Sequence, residues 1–253
     1  MFYIKKNRYA IITVAVTLIL WEGLVWIFKP SQWILPPPTV IFEALINNRN
    51  VILTNAWVTL YEALLGFGLA IIFSLLIAIL MDYFSAIKKG IYPILVASQT
   101  IPIFAVAPLL FIWFGFGILP KIIIVALVDF FPIVINLTDG LNSADKGLIK
   151  LLKSMNASKW QIFKKVKFPS ALPYFFSGLR IAATYSVMGA VIGEWIIASK
   201  GLGLYIKNTF NSFLTDQVFA GILVIIAISI MLYGIIVFLE RITIPWNKSE
   251  EGS

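Results

Sequence analysis

The sequence predicts an all-α membrane protein with about six transmembrane helices and a cytoplasmic helix-turn-helix loop between the fourth and fifth spans. Of the 253 residues, 60% are hydrophobic and only 13% are charged, whereas a soluble domain is nearer half apolar and a quarter charged. Apolar runs long enough to cross a bilayer, about 20 residues each, recur along the chain. A single long basic interval, residues 142–170, interrupts them.

The apolar runs place the spans within one membrane domain that covers residues 1–253. We expect them at about residues 9–28, 58–81, 91–114, 121–138, 173–198 and 217–240. The first run is too long for a signal peptide and lacks a small-residue cleavage site, so it is predicted to be an uncleaved span. Glu22 is expected to reach the outer interface, and Thr39 to cap a short amphipathic helix after the proline segment.

The third span is predicted to be broken. Residues 82–90 are expected to form the loop before it, and residues 90–120 contain no charged side chain. Three prolines interrupt this stretch: Pro93, Pro102 and Pro108. Proline frees backbone carbonyls that only neighbouring helices or a cavity can satisfy at membrane depth. Gln99 and Thr100 are therefore candidates to face a translocation pathway, unless they bond to a neighbouring helix instead.

The distribution of basic residues predicts the orientation of the chain. With six spans and the N-terminus inside, most lysine and arginine residues fall in the inner segments, in agreement with the positive-inside rule. Both termini and the basic interval are then cytoplasmic, in a bacterial cell membrane. This placement also explains the net charge of +8 without nucleic-acid binding.

Charged residues at membrane depth are costly, and they mark candidate functional sites. Asp129 lies near the middle of the fourth span and is expected either to pair with Arg180 or to face water. Arg180 and Glu194 share the fifth span, where they either line the pathway or extend to the inner and outer interfaces. Residues 200–216 are predicted to be a polar segment. The chain contains neither Cys nor His, so we expect no metal site and no catalytic residue.

The basic interval has the local signals of two short helices joined by a sharp turn. Asn156 suits a left-handed position at the end of the first helix. Ser158 and Gln161 have the spacing of a capping box at the start of the second. Pro169 is expected to end that second helix and to move Phe168 out of the α region.

This interval resembles the cytoplasmic "EAA" loop of ABC-importer permeases, which docks on the ATPase subunit. The positions that match include Ala157, Ser158, Trp160, Gln161, Phe163 and Pro169, and the resemblance implicates these residues and Asn156 in coupling. The Glu-Ala-Ala of the motif is replaced here by residues 150–152, Lys-Leu-Leu, and its usual Gly by Asn156. From the residues alone, an amphipathic hairpin lying on anionic lipid is an alternative.

The resemblance extends over most of the chain. Matching segments include residues 98–102, 130–133, 193–195 and 201–203. They are similar to permeases of the nitrate, sulfonate, taurine and thiamine-precursor group, with the third span nearest to the hydroxymethylpyrimidine and riboflavin types. The resemblance implies a transport subunit that translocates a small solute such as a pyrimidine precursor of thiamine.

The same resemblance implies the partners: a second copy of this permease, cytoplasmic ABC ATPases, an extracytoplasmic binding protein and membrane lipid. The chain has no Gly-x-x-x-x-Gly-Lys-Ser/Thr sequence, so ATP and Mg²⁺ are expected on the ATPase and no cofactor on this chain. Alternatives are a nitrate-, sulfonate- or taurine-type permease or, from another class, an ion-coupled secondary transporter. The scarce carboxylates barely supply coupling-ion sites, and an enzyme is not expected.

Overall fold

The computed structural model describes residues 2–196 and 198–246, and every regular element in that part of the chain is helical. The α-helices are α1 (Phe2–Phe28), α2 (Pro38–Asn47), α3 (Arg49–Tyr83), α4 (Ser85–Ser98), α5 (Ile103–Phe114), α6 (Ile118–Asn142), α7 (Lys146–Ser154), α8 (Lys159–Ile162), α9 (Phe168–Ile196), α10 (Leu202–Asn211) and α11 (Thr215–Thr243). A π-helical turn, Phe163–Lys167, joins α8 to α9. Residues 1, 197 and 247–253 lie outside the described part.

Five apolar segments are long enough to cross a membrane, and the pair α4 and α5 makes a sixth candidate. This pair is bent by 104° at a short break, so the prediction of an interrupted third span is confirmed. The predicted loop over residues 82–90 is wrong, because only Phe84, in an extended conformation, separates α3 from α4. Asp82 stays within α3, since its carboxylate forms an ion pair with Lys167 at 2.6 Å.

The predicted helix cap at Thr39, in the segment after the first span, is also wrong. Helix α2 begins at Pro38, one residue before Thr39, because proline has the φ angle of a first helical position and needs no N–H there. The backbone N–H and hydroxyl of Thr39 instead donate to the carboxylate of Glu22, at 3.1 and 2.8 Å. Glu22 therefore joins α1 to α2.

The core of the bundle lies where α6 packs against α3 and α9, and small residues set how closely these helices approach. A Cβ added to Gly66 of α3 would lie 2.4 Å from the Cβ of Val125 on α6. One added to Gly178 of α9 would lie 2.7 Å from the carbonyl oxygen of Pro132. Glycine is required at both contacts because the neighbouring backbone or a branched side chain occupies the space.

The second helix of the basic interval does not end at Pro169 as predicted. Phe168 is in the α region, with φ −64° and ψ −46°, and donates its N–H to the Phe163 carbonyl. The π turn shifts the hydrogen-bonding register by one residue, and such an extra residue lets the helix tolerate a nearby proline. The helical chain therefore runs without a break from Lys159 to Ile196. The predicted polar segment at residues 200–216 likewise contains a helix, α10.

Candidate functional site

The turn of the basic hairpin is fixed by its own backbone hydrogen bonds. Asn156 has φ 57°, so the predicted left-handed conformation is confirmed. The N–H groups of Asn156 and Ala157 donate to the carbonyls of Lys153 and Leu152, at 3.0 and 2.9 Å. These two bonds are those of a Schellman motif, which satisfies the last carbonyls of α7.

The next residues hold the start of α8. Ser158 Oγ accepts from the Gln161 N–H at 3.2 Å, and Gln161 Oε1 accepts from the Ser158 N–H at 2.7 Å. The predicted capping box is therefore confirmed. Because the Schellman motif and the capping box are adjacent, the angle between α7 and α8 is set within a few residues.

The hairpin presents an apolar surface that nothing in the described chain covers. Its members are Leu148, Leu151, Met155 and Trp160, which we call the hairpin surface. The ring of Trp160 is stacked on that of Phe163, with centroids 5.6 Å apart, and remains 60% exposed. Phe163 is itself buried and contacts Phe168, so the ring on which Trp160 stacks is held by the packing of the hairpin.

Lysine side chains surround the hairpin surface. Lys167 pairs with Asp82, and the ammonium of Lys159 lies 5.3 Å from the centre of the Tyr83 ring. The remaining lysines of the hairpin are exposed: Lys146, Lys150, Lys153, Lys164 and Lys165. An exposed apolar surface rimmed by cations is suited to a protein groove with an acidic border.

A cavity of about 570 Å³ opens beside the break between α4 and α5. Its walls come from that break, from α6 and from α9, and the polar side chains among its lining residues are Ser98, Gln99, Asn136 and Tyr185. None of its lining residues carries a charge. Gln99 therefore lines this cavity, whereas the Thr100 hydroxyl donates to the Ala97 carbonyl, at 2.7 Å, within its own turn.

The charged candidates of the pathway lie outside the lining of this cavity. Arg180 bonds to Glu240 of α11 at 3.0 Å and to the Ser177 hydroxyl at 3.1 Å. The expected pair of Asp129 with Arg180 is therefore not formed. Asp129 does not face water either, since it is fully buried.

Glu194 does not extend to the outer interface, because it anchors the start of α10. The backbone N–H groups of residues 201–203 donate in order to Asn55 Oδ1 at 2.8 Å, Thr59 Oγ1 at 2.9 Å and Glu194 Oε2 at 2.6 Å. The Thr59 hydroxyl donates in turn to Glu194 Oε1 at 2.7 Å. The free N–H groups of a helix N-terminus favour a negative charge. We call this network the polar anchor.

Gly201 is required by the polar anchor. Its φ is 121°, a conformation that other residues rarely adopt, and a Cβ there would lie 2.1 Å from the Glu194 carboxyl carbon. The Gly-Leu-Gly sequence and the intramembrane glutamate were both visible in the sequence. The sequence did not indicate that they contact each other, because the two other members of the network, Asn55 and Thr59, come from α3, far earlier in the chain.

A buried ion pair of Glu62 on α3 and Lys121 at the start of α6 was also missed. Lys121 was expected at the first residue of the fourth span, yet α6 begins at Ile118 and Lys121 is buried within its first turns. The sequence feature that could have indicated this ion pair is the presence of two isolated, opposite charges, each next to an apolar run. In the described part of the chain, no group of three or more metal-ligating side chains is found.

Comparison with known proteins agrees with this architecture. Residues 70–244 match the family described as "Binding-protein-dependent transport system inner membrane component". The formylaminopyrimidine transport permease protein ThiX of Halalkalibacterium halodurans is 37% identical over 221 residues, which cover 87% of this chain and 88% of ThiX. The riboflavin transport system permease protein RibX of Chloroflexus aurantiacus is 32% identical, over 94% of this chain and 90% of RibX.

Solved structures share the fold at low sequence identity. The MetNI methionine ABC transporter, in an inward-facing conformation, aligns with a TM-score of 0.55 and 18% identity, over 73% of this chain and 95% of that chain. An amino acid ABC transporter aligns with a TM-score of 0.62 and 16% identity, over 80% of this chain and 96% of that chain. The chain therefore belongs to the inner-membrane components of binding-protein-dependent transport systems, as a permease subunit of an ABC importer.

Proposed function

We propose that this permease imports a neutral, planar organic solute, and that its hairpin surface couples import to ATP hydrolysis on a separate subunit. The observation that carries the coupling role is the exposed Trp160 on a rigid, cation-rimmed hairpin. A side chain of this size, held by a stacked ring, is a typical anchor for a partner's pocket. ATP and Mg²⁺ are then held by the partner, and this chain carries no cofactor.

The proposed assembly contains two copies of the permease, two cytoplasmic ATPases and an extracytoplasmic binding protein. Both termini and the hairpin lie in the cytoplasm of a bacterial cell, on the side that the lysine distribution favours. In α1, no residue of the stretch Ile11–Phe28 is buried, so lipid or the second permease copy surrounds that helix. The hairpin binds the ATPase rather than anionic lipid.

The coupling role is tested by replacing Trp160 with alanine in the complete transporter, reconstituted in proteoliposomes. We expect loss of solute-stimulated ATP hydrolysis and of uptake, while the permease still inserts and folds. The matched control is Trp246→Ala, since Trp246 is also 60% exposed but lies outside the hairpin. Equal coupling in both variants, with normal ATPase binding, would contradict the proposal.

The cavity beside the α4–α5 break is proposed to be part of the translocation pathway. It lies against α6 and α9, and Gln99 contributes an amide at the break itself. Because the chain has no native cysteine, a Gln99→Cys variant can be labelled alone with a small water-soluble thiol reagent. Its reaction rate should change with nucleotide and with solute, whereas the control Leu95→Cys, at a buried position of α4, should stay unreactive. A Gln99→Cys variant whose thiol is unreactive in every state would place the pathway elsewhere.

The chemistry of the cavity favours a neutral solute over an anion. Its amides and phenol can hydrogen-bond to a heterocycle, and Phe131 adds an aromatic face. No cation lines the cavity to balance a sulfonate or a nitrate. The relative named for formylaminopyrimidine transport points to the same class of solute.

Competition for uptake distinguishes the candidate functions. We expect formylaminopyrimidine, and not taurine, an alkanesulfonate or nitrate, to compete in vesicles that contain the binding protein and the ATPase. Competition by the anions alone would favour the sulfonate or nitrate type of permease. Uptake that persists without ATP and follows an ion gradient would instead identify a secondary transporter.

A further inference from the structure

Asp129 is buried in the centre of the bundle with no hydrogen-bond donor. Its side chain has no exposed surface, and neither carboxyl oxygen has a partner among the described residues. One turn before it on α6, Val125 contacts the glycines of α3 and α9, and one turn after it, Ile133 contacts Gly178 of α9. Asp129 therefore lies within the closest packing of the three helices.

The charged groups of the packed helices are bonded elsewhere. On α6 itself, Lys121 and Asp139 are eight and ten residues from Asp129, or about 12 and 15 Å along the axis. The ionisable groups of α3 and α9 that have described partners at other sites are Glu62 with Lys121, Asp82 with Lys167, Glu194 with Thr59 and Gly203, and Arg180 with Glu240. Arg49 lies at the first residue of α3, and α5 carries no charged residue.

The two fully buried serines of the same helices also bond to other groups. Ser74 of α3 donates to the Phe130 carbonyl at 3.1 Å, and Ser186 of α9 donates to the Ala183 carbonyl at 3.0 Å. Both serines are fully buried. An ionised carboxylate at this position would therefore have neither a counter-ion nor a donor.

An isolated ionised carboxylate in an apolar interior is destabilised far more than a neutral carboxyl group. We propose that Asp129 is a proton-binding site, and that its carboxyl group is protonated and neutral when α3, α6 and α9 are closely packed. The bound ligand is a single proton, and the site needs no other residue. This inference does not depend on the proposed solute or on the coupling role of the hairpin.

Infrared spectroscopy of the purified permease in lipid tests the site, as the difference between the spectra of the unlabelled protein and of the protein labelled with ¹³C-aspartate. The parent protein at neutral pH should show the carbonyl-stretch band of a protonated carboxylic acid. Labelling with ¹³C-aspartate should shift this band, which assigns it to an aspartate without any mutation. The only fully buried aspartate in the described chain is Asp129.

Two substitutions complete the test. Asp129→Asn, a neutral residue of the same shape, should remove the band and leave the protein as stable as the parent, since it loses no charge interaction. Asp139→Asn, at an exposed position of the same helix, should leave the band intact. The absence of an aspartate-shifted band at neutral pH would overturn the proposal, because the carboxyl group would then be ionised. Retention of that band in Asp129→Asn would also overturn it.

Discussion

The polar anchor makes a direct prediction for Thr59. Its hydroxyl accepts from the Leu202 N–H at 2.9 Å and donates to Glu194 Oε1 at 2.7 Å, and the residue is fully buried. Thr59→Val keeps the shape of the side chain but removes both bonds. The start of α10 then loses one of its three partners, and the carboxylate loses one of its donors.

The size of the effect follows from these two losses. A hydrogen bond to a charged group contributes about 1.5–3 kcal/mol, and a buried N–H left without a partner costs about 1–3 kcal/mol. The added methyl group recovers part of this loss through apolar burial. We therefore expect the free energy of unfolding to fall by about 3 kcal/mol.

The assay is unfolding of the purified permease in mixed micelles of mild detergent and dodecyl sulfate. Thr138→Val is the matched control, because Thr138 is also buried but donates only to the Val134 carbonyl of its own helix, at 2.7 Å. That hydroxyl adds little to a carbonyl already bonded in the helix, so we expect a change within about 1 kcal/mol. Equal destabilisation by the two substitutions would refute the idea that the anchor holds α10.

Three further predictions concern packing, charge and the hairpin turn. Gly66→Ala should destabilise the bundle by about 1–3 kcal/mol through overpacking against α6, whereas Gly68→Ala, which meets nothing within 4 Å, should not; equal unfolding midpoints would contradict the close contact. Lys121→Met should cost about 3–5 kcal/mol by leaving Glu62 unpaired, and adding Glu62→Gln should restore part of it; the double variant being no more stable than the single one would argue against a coupled pair. Asn156→Gly should assemble normally with the ATPase and Asn156→Val should not, since a β-branched residue resists positive φ; co-purification of equal amounts of ATPase would show that the turn tolerates other conformations.

The sequence predicted the features that depend on near neighbours in the chain. The Schellman turn at Asn156 and the capping box at Ser158 involve residues within a few positions of each other, so their spacing was enough. The recurrence of membrane-length helices followed from apolar length, and the break between α4 and α5 followed from the prolines of that stretch. Each of these rests on local hydrogen bonding or on the thickness of the bilayer.

The features that the sequence did not predict depend on contacts between distant segments. Glu194 was expected at an interface, yet it binds backbone groups that α3 also holds in place. Arg180 was considered as a partner for Asp129, but it pairs with Glu240 of α11 instead. Pro169 was expected to end a helix, but the π turn just before it lets the helix continue through the proline. In each case a competing partner or a change of register decided the result.

The unbroken helix from Lys159 to Ile196 has 38 residues and is about 57 Å long at 1.5 Å per residue. Trp160 lies near one end, and Glu194, which holds the start of α10, lies near the other. Because the helical chain between them is continuous, the side chains at the two ends have a defined rotational phase relative to each other. The π turn sets that phase: its one extra residue advances everything beyond it by about 100°. Insertions or deletions in this helix are therefore restricted more by rotation than by length.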